Sequence, residues 1–304
     1  MGLTKPFGFM GSGEGGAGAG FDPTVGGLYS VVHHWDFTDT STMTFGASNG
    51  ANNYGPAVAT VTDKVGSIVM QPVNGPSGGA AKITTSGSLY TGSWGTATYM
   101  SGSPYQNYNG GTYNWLPDDM RVSGEFTVVA ICGAEWTSLG SNLPRAMWYA
   151  RSNADSDAYD NLLFFMLYQG SWQEINCSGS SAGGTKRAAG FGRYRGSWNP
   201  TPKSIDFNSN PDEISDPGVW SLSYASGSGD YEFQLNDTNA CTHGTNTTRA
   251  NASGEGLCIG GAPIGLNEKN CFEGNWFHYV VYNQALTQEQ RNSVYDEWER
   301  AFSA

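Results

Sequence analysis

The chain has 304 residues, with 15 Lys plus Arg against 27 Asp plus Glu for a net charge of −12, and holds 43 Gly, 16 Tyr, 14 Phe and 10 Trp with only 14% charged residues. A surface this acidic repels a phosphate backbone, which argues against nucleic acid as a ligand. Many glycines and aromatics with few charges suit short strands joined by tight turns, so one all-β domain is expected rather than a bundle of helices.

Residues 1–27 contain the stretch GFMGSGEGGAGAGFDPTVGG, whose low apolar content cannot offset the entropy of ordering it alone. This predicts an attachment arm that orders against a neighbouring chain, with Phe7, Phe9, Met10 and Phe21 as anchors in partner grooves. The arm implies an assembly, either a homo-oligomer or a complex with other proteins. From Leu28 a strand pattern begins, with LYSVVHHWDF, AVATVTDKV and SIVMQPV bounded by Gly, Asn and Pro, followed by GSLYTGSWGTATYM and GEFTVVAICGAEW. NLLFFMLYQGSW is apolar on both faces and its aromatic content and terminal Gly170 favour a central strand. Residues 177–218 are dominated by Gly, Ser, Asn and Pro and read as long surface loops around a few short strands. Near the C-terminus, Thr287 and Gln290 fit a capping box, and Val294, Tyr295, Trp298 and Phe302 recur at helical spacing. A helix over 287–302 is therefore expected to lay its aromatic side on the sheets, closing a domain that spans 28–304.

The five cysteines, Cys132, Cys177, Cys241, Cys258 and Cys271, are odd in number and include no CxxC pair, so free thiols made in a reducing cytoplasm are expected. No run approaches the roughly 18 apolar residues of a membrane span, and MGLTKPFGFMGSGEGG lacks the order of a signal peptide, so neither membrane insertion nor the usual export route is expected. On that expectation the Asn sequons at 176, 236, 246 and 251 carry no weight.

GNWFHYVVYNQALTQEQRNSVYDEW resembles the closing signature of laminin-G-like, concanavalin A-like jelly rolls, in which a strand leads through Asn and Ala-Leu into a short capped helix. GVWSLSYASGSGDYEFQLNDTN is similar to the family's Trp-led strand, hairpin and Asn turn, GLCIGGAP to its next strand, VVHHWDFTD to its opening strand, and GEFTVVAICGAEW to its Phe-Thr strand. The resemblance spans about 28–304 in order and implies a two-sheet antiparallel jelly-roll sandwich with a C-terminal helix. It departs from the family at Phe277 and His278, where an Asp-Glu pair is usual, so no role that needs that pair is carried over. With the Gly-rich arm and the missing leader, the chain resembles virion structural proteins of bacteriophages: head decoration or cement, or tail and fibre proteins, made in the host cytoplasm and bound to other virion proteins.

Catalysis is not expected. Retaining glucanases on jelly rolls need paired carboxylates about 5 Å apart, whereas PDEISD places Asp212, Glu213 and Asp216 in a Pro-flanked segment. The final strand reproduces the Tyr-x-Gln of alginate-lyase-type jelly rolls at Tyr282 and Gln284, without the Arg-rich strand and Gln-x-His that such chemistry requires. Asp155, Asp157 and Asp160 in DSDAYDN could gather oxygen ligands for calcium, the one cofactor considered. His33 and His34 point to opposite faces of a strand and read as packing and edge residues rather than ligands. Carbohydrate adhesion would use aromatic platforms: Tyr105, Tyr108, Trp115, Trp172, Tyr194 and Trp198 are the leading candidates, with Trp94 and Tyr113 beside them. Lys186, Arg187, Arg193 and Arg195 form a basic spot suited to an acidic neighbour or an anionic cell-surface glycan.

Overall fold

Alternating apolar and polar runs become strands, and the pairing of those strands places one side of the main sheet under the C-terminal helix. The computed structural model describes residues 20–45, 58–66, 68–70, 85–86, 100–102, 125–134, 145–150, 161–167, 175–176, 188–195, 197–198, 203–206, 218–225, 230–237, 241–244, 257–259 and 274–303. The early strands are β1 (Val31–Asp36), β2 (Met43–Phe45), β3 (Val58–Thr62), β4 (Val69–Met70), β5 (Thr85–Ser86) and β6 (Met100–Gly102). The middle of the chain gives β7 (Phe126–Ala134), β8 (Arg145–Ala150), β9 (Asn161–Leu167), β10 (Ile175–Asn176), β11 (Ala188–Arg195), β12 (Ser197–Trp198) and β13 (Lys203–Asp206). There follow β14 (Gly218–Ala225), β15 (Asp230–Leu235), β16 (Cys241–Gly244), β17 (Leu257–Ile259) and β18 (Gly274–Tyr282), then helix α1 (Gln288–Ser303).

One sheet has the order β16-β15-β14-β7-β18-β6-β5, with β1 also paired to β18; a second runs β10-β13-β11-β9-β8-β17, with β12 on β11; β2, β3 and β4 make a small third. Described pairings are antiparallel apart from β10 with β13. The architecture is an antiparallel β-sandwich with one short C-terminal helix, as the sequence predicted. Strand β9 lies between β8 and β11, which accounts for the apolar run in NLLFFML. The expectation of surface loops for 177–218 needs amendment, because β11 is an eight-residue interior strand of the second sheet. Its glycines misled the composition argument: Gly190 and Gly192 stand opposite Phe165 and Leu163, where a small residue meets a bulky one.

Strand β18 is central. Its whole length pairs with β7, while its other edge is shared by β6 at Asn275 and Trp276 and by β1 from His278 to Tyr282. A bulge between Trp276 and His278 interrupts the alternation. Trp276 and Tyr279 therefore face one side, with Trp35, Val128, Ala130, Trp220 and Leu222 buried there. Phe277 and His278 both contact the ring of Trp298, on the helix side. On this side Val129, Ile131, Val219, Phe277, Val280 and Tyr282 pack with Leu286, Val294, Tyr295 and Trp298 of the C-terminal segment and with Phe21 and Leu28 of the N-terminal one. Each such side chain contributes roughly 1.5–3 kcal/mol when fully buried.

Helix α1 begins one residue later than expected, and its capping box forms: the Gln290 N–H donates to Thr287 Oγ1 at 3.3 Å, and the Thr287 N–H donates to Gln290 Oε1 at 2.9 Å. Its buried face carries two charged groups, Arg291 and Glu297. Arg291, 1% exposed, donates from Nε to Gln234 Oε1 at 3.0 Å and from Nη1 to Ser223 Oγ at 3.1 Å and the Leu286 carbonyl at 2.5 Å. Its Nη2 reaches Glu232 Oε2 at 2.8 Å, so a buried guanidinium joins the helix to β14 and β15 with its charge compensated. At the β15 end, Asn236 takes φ +52 and its side-chain oxygen accepts the Val219 N–H at 2.9 Å, which realises the expected Asn turn.

The N-terminal segment from Gly20 belongs to this core. Phe21 is 9% exposed within the chain's own hydrophobic cluster, so it is occupied at home and is not an anchor for a neighbour. Phe7, Phe9 and Met10 lie outside the described residues. No helix among the described residues is long and apolar enough to cross a membrane.

Candidate functional site

Three polar side chains converge on the helix side of the sheet where β1 crosses the end of the β18 bulge. Residues two apart on a strand share a face, so His34 and Asp36 of β1 project together while His33 and Trp35 project oppositely. In the antiparallel register Asp36 stands opposite His278 and His34 opposite Val280. The result is a compact triad: His34 Nε2 lies 3.3 Å from His278 Nδ1, and His278 Nδ1 lies 3.3 Å from Asp36 Oδ1. All three residues are buried, and their donor atoms fall within 4.8 Å of one another.

Phe21 covers the triad. Its ring lies 4.6 Å from that of His278 and 6.1 Å, edge-on, from that of His34, and Trp298 meets His278 edge-on at 6.0 Å. Burial under these rings lowers the His278 pKa to about 3 and lowers that of His34, so both imidazoles are neutral at physiological pH. Burial acts to raise the Asp36 carboxyl, but His278 beside it, the Thr38 hydroxyl and N–H, and Lys64 together hold it at about 2. Thr38 donates to Asp36 Oδ1 from its hydroxyl at 2.6 Å and its N–H at 2.9 Å, and Lys64 Nζ donates to Oδ2 at 3.0 Å and to Asp39 Oδ2 at 3.1 Å.

Behind the triad, Asp63 locks the segment after β3 to β1. Its Oδ1 accepts the N–H of His34 and of Val65, both at 2.8 Å, while Oδ2 accepts the Gly66 N–H at 2.9 Å and meets His33 Nδ1 at 2.6 Å. Burial alone would raise this carboxyl, and the His33 contact and backbone donors lower it instead. Gly66 is required by closeness: a Cβ there would stand 2.6 Å from Asp63 Oδ2 and 2.8 Å from His33 Nδ1.

Both histidines of the opening strand are thus buried in polar contacts and point to opposite faces as expected. Asp36 and Asp63 were not singled out by the sequence, and His278 was noted only as a departure from the family's acidic pair; the available signal was His-x-Asp on one strand face, whose partner lies 244 residues away from His34. Of the aromatic platform candidates, Tyr194 and Trp198 are direct register partners across the β11–β12 hairpin. Tyr105, Tyr108, Trp115 and Trp172, and the proposed calcium ligands Asp155, Asp157 and Asp160, lie outside the described residues. Tyr282, the residue that mimics a lyase tyrosine, is fully buried with its hydroxyl donating to the Pro23 carbonyl at 2.9 Å.

No family model matches the chain, and no curated protein matches it. Among solved structures, Trypanosoma rangeli sialidase is similar at 11% identity and a TM-score of 0.49, over 88% of this chain and 32% of that one. The carbohydrate-binding module CBM40 of Ruminococcus gnavus IT-sialidase, bound to alpha2,3 sialyllactose, is similar at 13% identity and a TM-score of 0.42, over 60% of this chain and 92% of that one. The chain thus spans about a third of the sialidase's length. These neighbours are a sialidase and a carbohydrate-binding module, and neither is a bacteriophage protein.

Proposed function

We propose that this chain is a non-enzymatic structural protein of a bacteriophage virion, displaying a lectin-like jelly-roll domain on the head or tail that adheres to host-surface glycan. The observation that best supports a non-catalytic role is the fate of Tyr282: the one side chain placed like a lyase catalyst is sealed beneath Pro23 and spends its proton on that carbonyl. The other buried charges described, Arg291, Asp36, Asp63 and Glu297, each hold one part of the fold to another. Adhesion would fall to the aromatic candidates, of which Tyr194 and Trp198 are register partners across the β11–β12 hairpin and so belong to one face of the second sheet. Attachment would fall to residues 1–19, which precede the docked Phe21 and hold Phe7, Phe9 and Met10.

A panel of neutral, uronic and sialylated polysaccharides tests the adhesive reading. The chain should bind at least one of them without releasing reducing ends or unsaturated products, and Trp198→Ala should weaken that binding. Turnover of any of them would overturn the non-enzymatic assignment. Deleting residues 2–19 should leave a folded domain that no longer joins the particle; normal incorporation of the truncated chain would remove attachment from the arm.

A further inference from the structure

We propose that His34, Asp36 and His278 form a zinc site that clamps the opening strand of the main sheet to its central strand. The geometry carries this. Four ligands arranged tetrahedrally at about 2.0–2.1 Å from zinc stand about 3.3–3.4 Å from one another. Two edges of the triad, His34 Nε2 to His278 Nδ1 and His278 Nδ1 to Asp36 Oδ1, are 3.3 Å, and the third, His34 to Asp36, is longer though within 4.8 Å, so an ion bound here draws that pair together. An N–H···O hydrogen bond is normally nearer 2.9–3.0 Å, so the His278–Asp36 spacing sits at the long end for a shared proton and in the ordinary place for neighbouring ligands.

Proton bookkeeping points the same way. His278 Nδ1 faces a carboxylate oxygen and a second imidazole nitrogen at once. If His34 Nε2 holds the proton between the rings, His278 Nδ1 turns a lone pair toward the Asp36 carboxylate; if His278 holds it, one N–H is divided between two acceptors. A divalent cation satisfies all three atoms together. Two imidazoles and one carboxylate are a nitrogen-rich donor set that suits zinc and not calcium, which takes oxygen. The carboxylate is also oriented as a metal ligand's outer contacts would orient it, with Thr38 on Oδ1 and Lys64 on Oδ2. Three protein ligands leave one position to solvent, and the cover of Phe21 and Trp298 makes the ion a fastener between β1 and β18 instead of an open reaction centre.

The test uses the full chain, prepared without a histidine tag or chelator. Elemental analysis should find zinc in about equal amount to protein, EDTA should lower the melting temperature, and added zinc should restore it. Cobalt substitution should give the intense visible absorption of a tetrahedral site. His34→Gln and His278→Gln should each weaken zinc binding more than about 100-fold, since loss of an outer contact alone costs 10–100-fold. His243→Gln, which alters the remaining histidine on β16, should leave zinc affinity and the cobalt spectrum unchanged. If the His278 variant does not fold, His34→Gln and the wild-type cobalt spectrum still decide. Absence of both zinc and a tetrahedral cobalt spectrum in the wild type, or a spectrum that survives in folded His34→Gln, would overturn the site and leave the triad as a hydrogen-bonded tie.

Discussion

The Tyr282 hydroxyl donates to the carbonyl of Pro23, 259 residues earlier, at 2.9 Å. The contact fastens the segment that carries Phe21 to the last strand of the sheet, and burial raises the phenol's pKa far above its ordinary value of 10.0, so the proton is not released. Tyr282→Phe keeps the ring and strands the carbonyl. A loss of about 1–2 kcal/mol is expected, with no change in any binding activity. Urea unfolding monitored by tryptophan fluorescence checks it, and an unchanged midpoint would mean that water replaces the hydroxyl.

Arg291 is the polar pin of the helix. Replacing it by Ala leaves Gln234 Oε1 without its donor, removes the Nη1 bonds to Ser223 Oγ and the Leu286 carbonyl, which keep each other at 3.2 Å, and opens a cavity, for an expected loss of about 2–4 kcal/mol. Arg291→Met retains most of the volume and should cost less than Ala. The side chain of Glu232 is 43% exposed, so its share of the loss is small. Denaturation of the two variants side by side separates packing from hydrogen bonding; equal losses would assign the whole effect to the unpaired acceptors.

Gly66→Ala should detach the Asp63 segment from β1. The added carbon would stand 2.6 Å from a carboxylate oxygen that already accepts the Gly66 N–H and contacts His33. The expected cost is about 1–3 kcal/mol, as for other overpacked interiors. Hydrogen exchange of the His34 and Val65 amides, both bound to Asp63, should accelerate in the variant. Unaltered protection would show that the loop moves to make room.

Glu297 gives the acid limb of the stability curve a specific contributor. The Arg300 guanidinium lowers its pKa from the ordinary 4.5, against the effect of burial and with help from the Asp22 N–H. A carboxyl depressed in the folded state stabilises above the unfolded value and loses that contribution as pH falls through the folded one. Glu297→Gln should therefore be less stable than wild type near neutrality and show a shallower decline below about pH 4.5. Thermal melts across pH 2–7, an order-of-magnitude window around that value, check both features.

Local signals in the sequence were read correctly at the helix start, the Asn turn and β9, and misread at β11, where glycines belong to a strand. Thr287 and Gln290 announced the helix start, Gly and Asn marked the turns, and the apolar run of β9 announced an interior strand. The substitution of Phe277 and His278 for an acidic pair was visible too, but its meaning depended on a bulge that no local pattern encodes. That bulge turns both residues toward Trp298, one as core and one as part of the polar triad. Phe21 was misplaced because a glycine-rich surrounding lowers local apolar density without revealing that His278 offers a stacking partner. Asp63 drew no reading from the sequence, and only its four contacts to β1 and its own loop give it structural weight.

The place of β18 in the sheet also sets an order of events during synthesis. Strands β1, β6 and β7 all pair with it, yet Asp36 leaves the ribosome well before its register partner His278 exists. At roughly 5–20 residues per second, the opening strand waits about ten to fifty seconds for its neighbour. During that interval the apolar faces of β1 and β7 have no closing strand, and pairing across so many residues is slow by the loop entropy it must overcome. The sheet therefore acquires its final registration only when the last strand joins edges that were synthesised long before it.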